Sequence, residues 1–230
     1  MSTPSASIPS NVQRHQVGHH FANAEQEFSS AKLGFWLFLC TELLMFGGLF
    51  VGFIYYRTFL AETFLAAHRT LSIPLGTVNT VVLITSSFTM AMAIRCAMVN
   101  KQKQMMAFLW VTLLCAGAFM VIKLGFEWPS KFAHHTLPGR YFDLAHAVEA
   151  YPFLEGLASP HIFYSLYFMM TGLHGIHVVI GMGLITWLIW RGYKGHFYSG
   201  FYTPLEMTGL YWHLVDLIWI FLFPLFYLVG

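Results

Sequence analysis

Charged side chains are scarce in this 230-residue chain. Asp, Glu, Lys and Arg together make up 10% of the residues, whereas hydrophobic residues make up 57%. In an ordinary soluble domain roughly a quarter of the residues are charged, and a soluble globule of this size could not cover its surface with so few. The net charge of +2 also argues against nucleic-acid binding. The composition therefore excludes a soluble enzyme, a disordered chain and a nucleic-acid binder, and it indicates a polytopic membrane protein.

Cysteine is also scarce, because the chain has only three, and each lies in an apolar stretch. None has the spacing of a metal site or of a disulfide framework, so we interpret them as free thiols that pack as small apolar groups. Residues 1–31 contain no apolar core of the kind that a cleavable signal peptide carries. They predict a flexible polar tail, followed by a single transmembrane domain over 32–230.

Long runs with few or no charges predict five transmembrane helices, since about 20 helical residues cross the hydrocarbon core of a bilayer. The runs are continuously apolar rather than alternating, which excludes the strands of a membrane β-barrel. The predicted helices cover about 32–57, 77–99, 104–126, 160–191 and 206–229. The second and third are close together and predict a helical hairpin. The predicted fold class is thus an all-α bundle of five membrane-spanning helices.

The distribution of basic residues predicts how the chain is oriented in the membrane. Five spans place the N-terminus and the loops 100–103 and 192–205 on one side, which carries seven basic residues. The acidic loop residues collect on the other side, in 58–76 and 127–159. We therefore predict that the N-terminus lies inside and the C-terminus outside. The long outer loop 127–159 is rich in proline, which disfavours one long helix but allows a short one around 141–150.

Two acidic residues lie deep inside predicted spans, where an ionisable group is costly and usually faces a partner or a cavity. They are Glu42, near the middle of the first helix, and Asp216, in the last helix. Two interpretations of Glu42 stay open at this point. It is either a carboxyl hydrogen-bonded to a neighbouring helix or a functional group that influences proton access or lipid binding.

The last predicted helix carries a stripe of polar and small residues. Spacings of three, four and three place its members on one helical face: Glu206, Gly209, His213 and Asp216. His213 and Asp216 are close enough to touch. We interpret the stripe as a buried polar seam against another helix, with a proton relay as the alternative. Trp212 and Trp219 point elsewhere and are predicted to face lipid or a partner subunit.

The fourth predicted helix combines several glycines with His174 and His177. Small residues let helices approach closely, and imidazoles then form hydrogen bonds across the contact. These histidines therefore predict helix-packing positions. Ligation of haem or of a metal ion is the disfavoured alternative, because no other span offers a convincing histidine partner at matching depth.

Two groups of charged residues lie near predicted helix ends. Lys123 and Glu127 are four residues apart with Lys131 four further on, which predicts an interfacial ion-pair ladder. A second, basic group just past the inner end of the fourth helix suits lipid phosphates, although positive-inside anchoring explains it about as well. It consists of Arg191, Lys194 and His196.

Three motifs give the sequence a resemblance to subunit III of the haem-copper terminal oxidases, over about 33–229. The first is Leu-Cys-Thr-Glu-Leu-Leu-Met-Phe at 39–46, and the second is Gly-Leu-His-Gly-Ile-His-Val-Val-Ile-Gly at 172–181. The third is Glu206 followed by Tyr-Trp-His-Leu-Val-Asp-Leu-Ile-Trp at 211–219. The chain resembles a short, five-helix bacterial form that lacks the first two helices of the seven-helix members.

The resemblance implies a non-catalytic core subunit of a cytochrome c oxidase, in the aerobic respiratory chain of a bacterial inner membrane. Haem and copper are expected in partner subunits I and II, with no redox centre and no metal in this chain. The chain is expected to pack beside subunit I, to bind phospholipid in a cleft, and to support proton uptake by subunit I.

The resemblance also implies roles for individual residues. Glu42 matches the family's buried glutamate, and Arg191 and Lys194 match positions that contact lipid phosphate. The remaining matches are to polar helix-packing positions: His177, His213 and Asp216.

Several alternatives stay open. Within the family they are subunit III of a quinol oxidase and an accessory protein of a nitric oxide reductase. From other classes they are a small transporter, for which Glu42 and Asp216 are the acidic candidates, and a haem-binding membrane anchor. The sequence shows no internal repeat, which disfavours a transporter built from inverted repeats. Membership of a larger respiratory supercomplex is equally open.

Overall fold

The chain folds into helices joined by short connections, as described by a computed structural model over residues 21–228. Pairing of β type within these residues is limited to two isolated bridges. Within residues 21–228, five helical segments are long and apolar enough to cross a membrane, which confirms the predicted fold class. They contain helices α1 (Ala24–Phe59), α3 (Ile73–Met98), α4 (Gln102–Ile122), α7 (Pro160–Tyr193) and α8 (Thr203–Phe223).

Shorter helical segments connect these five or extend them. Three are α-helices: α2 (Ala61–Ala67), α5 (Trp128–Ala133) and α6 (Leu144–Ala150). Three are single 3₁₀ turns: His68–Thr70, Gly139–Tyr141 and Pro152–Leu154. Two are π-helical, Lys123–Glu127 after α4 and Pro224–Leu228 after α8. The predicted short helix around 141–150 corresponds to α6.

Several helices begin earlier than predicted, for identifiable reasons. The side chain of Asn23 accepts a hydrogen bond from the Gln26 amide and so caps α1, which begins at Ala24. Helices α3 and α8 start beside Pro74 and Pro204, because proline is tolerated in the first helical turn and needs no amide partner there. Of the predicted tail 1–31, residues 1–20 lie outside the described residues, and 24–31 belong to α1.

Helices α3, α4, α7 and α8 pack into a bundle, and α1 lies against α7 and α8. The predicted hairpin of α3 and α4 turns at Asn100, whose positive φ of 58° suits asparagine. Aromatic rings join α1 to the bundle, with Phe46 against His177 and Phe53 against Phe226 at centroid distances of 5.4 and 4.8 Å. Large apolar side chains of α1 also remain exposed on the outward face, as suits contact with lipid or another subunit.

Hydrogen bonds between loops show which loops share an end of the bundle. Asn100 bonds to Ser199, so the loops after α3 and after α7 meet. At the other end the Thr63 hydroxyl donates to the Ala158 carbonyl at 2.8 Å, which joins α2 to the segment before α7. The pairing agrees with five antiparallel spans, while the side of the membrane that each end faces stays a prediction.

The interior of the bundle contains both tryptophans that were predicted to face lipid or a partner. That prediction is wrong, because Trp212 and Trp219 are fully buried. Their Nε1 atoms donate to Ser86 Oγ at 3.0 Å and to Thr80 Oγ1 at 3.1 Å. Gly181 of α7 makes room for Trp212, since a Cβ at residue 181 would lie 2.6 Å from the indole ring.

Candidate functional site

A glutamate and a histidine from two helices pair at the contact between α1 and α7. Glu42 Oε2 lies 2.9 Å from His177 Nε2, and the two side chains are only 17% and 10% exposed. Glu42 lies near the middle of the 36-residue α1. Both residues are candidates in the sequence, but their separation of 135 positions does not reveal the pairing. This Glu42–His177 pair is the first element of the candidate site.

The second nitrogen of the imidazole fixes the protonation pattern of the pair. His177 Nδ1 lies 2.8 Å from the Leu173 carbonyl oxygen, which can only accept, so Nδ1 carries a hydrogen. One further proton then lies between Nε2 and the Glu42 carboxyl. The pair is either an imidazolium with a carboxylate or a neutral imidazole with a carboxylic acid. The two forms differ only in the position of the shared proton, and the pair as a whole is neutral in both.

Aromatic side chains restrict access to the pair. Phe46 packs edge-on against the imidazole, and the Tyr211 ring lies 6.4 Å from it. The Tyr211 hydroxyl donates to the His177 backbone carbonyl at 3.1 Å, which ties α8 to the same position. The Glu42–His177 pair is thus one of the contacts that connect α1 to the bundle, and α8 supports it through Tyr211.

The predicted seam on α8 packs against two helices. Lys32 of α1 donates to Glu206 at 3.4 Å, and Ile94 of α3 lies where Gly209 leaves space. His213 Nδ1 lies 2.6 Å from Ser87 Oγ. The seam joins α8 to α1 at one end and to α3 along its length.

Two of the ionisable residues of the seam, His213 and Asp216, turn towards serines of α3. Ser86 donates to Asp216 Oδ2 at 3.5 Å, while the neighbouring Ser87 bonds to His213. The expected contact between His213 and Asp216 is thus replaced by two contacts with α3. The adjacent serines could have been recognised in the sequence as polar residues within an apolar run.

The predicted interfacial ion-pair ladder is wrong, because Lys123 and Glu127 form a buried cluster just after the end of α4. Lys123 and Glu127 are almost fully buried rather than interfacial, with Nζ to Oε2 at 2.9 Å. Lys123 also donates to the hydroxyls of Tyr167 and Tyr227, and both hydroxyls donate to Glu127. Lys131 does not extend a ladder, because it donates to the Thr70 carbonyl instead.

The π-helical turn explains why the sequence spacing was misleading. Lys123 and Glu127 lie within it, and Tyr227 lies within the other π-helical segment. Both charged side chains are buried in this segment, and the Trp219 ring covers the ammonium at 4.8 Å. We call Lys123, Glu127, Tyr167 and Tyr227 the ion-pair cluster. The two tyrosines were not recognised from the sequence, since they are 40 and 100 residues from Glu127.

His174 does not make the hydrogen bond that was expected of it. Its ring is buried between Phe119 and Trp219, at centroid distances of 5.6 and 5.3 Å. Neither ring nitrogen has a hydrogen-bond partner among the described residues. His174 therefore packs against aromatic rings of α4 and α8, without a hydrogen bond to a described protein group.

The basic rim, consisting of Arg191, Lys194 and His196, lies at the end of α7 and in the loop that follows. Arg191 stacks over Trp187 at 5.0 Å, and Lys194 Nζ lies 3.5 Å from the Trp190 ring centroid. Partial burial and the two neighbouring cations lower the pKa of His196. At neutral pH the positive charge of the rim therefore comes from Arg191 and Lys194.

Metal-binding geometry is absent from the part of the chain that the structure describes. No group of three His, Cys, Asp or Glu side chains among these residues could hold a metal ion. Both ring nitrogens of His177 are occupied by Leu173 and Glu42. The described cysteines are free thiols.

Comparisons with known proteins point to one family. A family model described as cytochrome c oxidase subunit III matches residues 136–230. Cytochrome c oxidase subunit 3 of Alkalihalophilus pseudofirmus is 32% identical over 211 residues, which cover 92% of each chain. The same subunit of Thermostichus vulcanus is 30% identical over 86% of each chain. Quinol oxidase subunit 3 of Bacillus subtilis is 28% identical over 92% of this chain and 96% of its own.

Proposed function

Because the chain belongs to the cytochrome c oxidase subunit III family, we propose that it is subunit III of a respiratory cytochrome c oxidase. Family membership makes it a multi-pass membrane component of an oxidoreductase complex, and in our proposal that membrane is a bacterial inner membrane. The observation that carries the proposal is the 32% identity to a cytochrome c oxidase subunit 3 along 92% of both chains.

In this proposal the chain carries no redox centre of its own. The haem and copper centres belong to partner subunits I and II, which reduce oxygen to water and pump protons. Support comes from the histidines, because His177 has both nitrogens engaged by protein groups and His174 is enclosed by aromatic rings. Neither is arranged to hold an axial ligand position.

The proposed contribution of this chain is to support proton uptake by subunit I and the stability of the complex. The Glu42–His177 pair fixes α1 against α7 and holds one exchangeable proton. Phospholipid headgroups bind at the basic rim, where Arg191 and Lys194 are held on tryptophans at one end of α7. The bound lipid then lies in the membrane beside these helices. Together they steady the neighbouring subunit I.

The proposal is tested first by purifying the tagged chain from native membranes and recording partners and optical difference spectra. Recovery of two larger subunits with an a-type haem spectrum and a CuA centre supports a cytochrome c oxidase. A chain recovered alone and colourless contradicts the proposal, and substrate uptake or a Soret band from it would favour a transporter or a haem-binding anchor.

The role of Glu42 is tested by Glu42→Gln, which removes a titratable proton but keeps a polar side chain. We expect unchanged haem content, with activity that decays faster during turnover than in the parent complex. Glu62→Gln, an exposed glutamate of α2, is the matched control and should decay at the parent rate. Loss of haem from the Glu42 variant would contradict a supporting role.

Lipid binding is tested by replacing Arg191 and Lys194 together with alanine. Native mass spectrometry should then detect fewer retained phospholipids per complex, because the cationic end of the rim is removed. The control is the Lys101→Ala, Lys103→Ala variant, which removes two basic residues at the same end of the bundle. Unchanged lipid retention in the first variant would exclude the rim as a lipid site.

A quinol oxidase subunit III is the second candidate. Similarity to the Bacillus subtilis quinol oxidase subunit 3 over 96% of that protein supports it. The same purification separates the two candidates. A complex that contains o-type or a-type haem, lacks a CuA centre and oxidises quinol would identify quinol as the electron donor. Recovery together with a nitric oxide reductase would favour the accessory role.

A further inference from the structure

Two fully buried polar side chains inside the bundle have no protein partner. Asn79 of α3 is 0% exposed and His174 of α7 is 1% exposed. Both side-chain polar atoms of Asn79 and both ring nitrogens of His174 lack a hydrogen-bond partner among the described residues. Other buried polar residues of the bundle, such as Ser86, Thr89 and Thr112, form hydrogen bonds with their surroundings. Asp216 of α8 has one oxygen bonded to Ser86 and its other oxygen unpaired among the described residues.

Trp219 of α8 is the residue through which the positions of these two side chains can be related. Trp219 Nε1 donates to Thr80 Oγ1, and Thr80 is adjacent to Asn79 in α3. On another side of the indole, the His174 ring lies 5.3 Å away. The Lys123 ammonium lies 4.8 Å from the Trp219 ring centroid. Trp219 thus contacts His174 directly and the chain neighbour of Asn79, and the ammonium of Lys123 lies over the same indole.

Leaving these groups unpaired would be costly. A buried amide or imidazole has lost its hydrogen bonds to water, and without a new partner nothing offsets that cost of desolvation. Folded proteins avoid this almost everywhere. Where protein groups do not satisfy a buried polar atom, an ordered water molecule usually does.

We propose that the bundle interior around Trp219 is a water-binding site, in which internal water bonds to the Asn79 amide and the His174 imidazole. The ligand must both donate and accept, because a neutral imidazole and a primary amide each present donors and an acceptor. Water does both. A metal cation does not suit the site, since it cannot accept a hydrogen bond from the amide and would be repelled by Lys123.

The site has a consequence for the polar groups on either side of it. Asp216 lies about one helical turn from Trp219 on α8, and the Lys123 ammonium of the ion-pair cluster lies 4.8 Å from the Trp219 ring centroid. Water at this level brings exchangeable hydrogens between two buried carboxyl groups that belong to different clusters. The interior of this subunit is then hydrated around Trp219 rather than dry.

The first test is a structure of the intact purified complex at a resolution that shows ordered water. We expect density within hydrogen-bond distance of the Asn79 amide and of a His174 ring nitrogen. A dry site at that resolution overturns the proposal, as does a rearrangement in which protein groups satisfy both side chains.

The second test is thermal melting of the complex that carries Asn79→Leu. Leucine displaces the water and leaves His174 unpaired, so the melting temperature should fall by several degrees. In a dry interior the same substitution removes an unpaired amide, and the melting temperature should rise. Thr85→Val, on the exposed face of the same helix, is the control and should leave melting unchanged. A rise in the Asn79 variant overturns the proposal, and if that variant does not assemble, the density at the site decides.

Discussion

At the scale of single residues, the chain places its polar side chains in pairs that join different helices. Glu42 needs His177 because an isolated carboxyl in a membrane span is costly, and His177 is held in one tautomer by the Leu173 carbonyl. The sequence could identify both residues by their depth. It could not identify their pairing, since 135 positions separate them and only the packing of α1 on α7 brings them together.

The ion-pair cluster gives a residue-scale prediction. Lys123→Met leaves Glu127 buried without its cation, so we expect a loss of about 3–5 kcal/mol in the stability of this subunit. The double variant Lys123→Met, Glu127→Gln removes both charges and should lose clearly less than the sum of the two single variants. Thermal melting of the three purified complexes checks this, and a purely additive result would mean that the two charges do not interact in the folded protein.

At the scale of helices, the structure departs from sequence expectation mainly where a helix changes its geometry. Apolar run lengths predicted five spans, and the structure has them. The π-helical turn at Lys123–Glu127 was not predictable, because a one-residue widening leaves no composition signal. The same turn moved both charges from an expected surface into the core. The prediction that the α8 tryptophans face lipid or a partner was wrong for a different reason. Residue spacing shows which side chains share a face of one helix, but it does not show on how many sides other helices cover that helix.

The close contact between α7 and α8 gives an element-scale prediction. A Cβ at residue 181 would lie 2.6 Å from the fully buried Trp212 ring, so Gly181→Ala forces the helices apart. We expect a destabilisation of about 1–3 kcal/mol, as in other overpacked cores. Gly183→Ala is the control on the same helix, since its Cβ meets nothing within 4 Å. The control should be neutral or slightly stabilising, because alanine favours helix. Equal melting of both variants would contradict this account of the contact.

At the scale of the whole molecule, the bundle has two chemically different ends. One end contains the basic rim, Lys32 and the loop at Asn100. Asn100 bonds to Ser199, which joins this loop to the loop after α7. The other end contains the ion-pair cluster and the connecting segment with α5 and α6. Asp143 caps α6 there, and a hydrogen bond from His146 lowers the pKa of its carboxyl. The basic end suits the negatively charged inner surface of a membrane.

This asymmetry leads to the prediction that the basic end faces the inside of the cell, because basic loops are retained there. Single cysteines at Lys103→Cys and Glu149→Cys, both exposed positions at opposite ends, test it in a chain whose own three cysteines are replaced by alanine. A membrane-impermeant maleimide should label the residue-149 variant in intact cells and the residue-103 variant only in inside-out vesicles. The reverse pattern would invert the proposed topology and would move the basic rim to the outer surface, where the inner-leaflet phospholipids proposed as its ligands could not reach it.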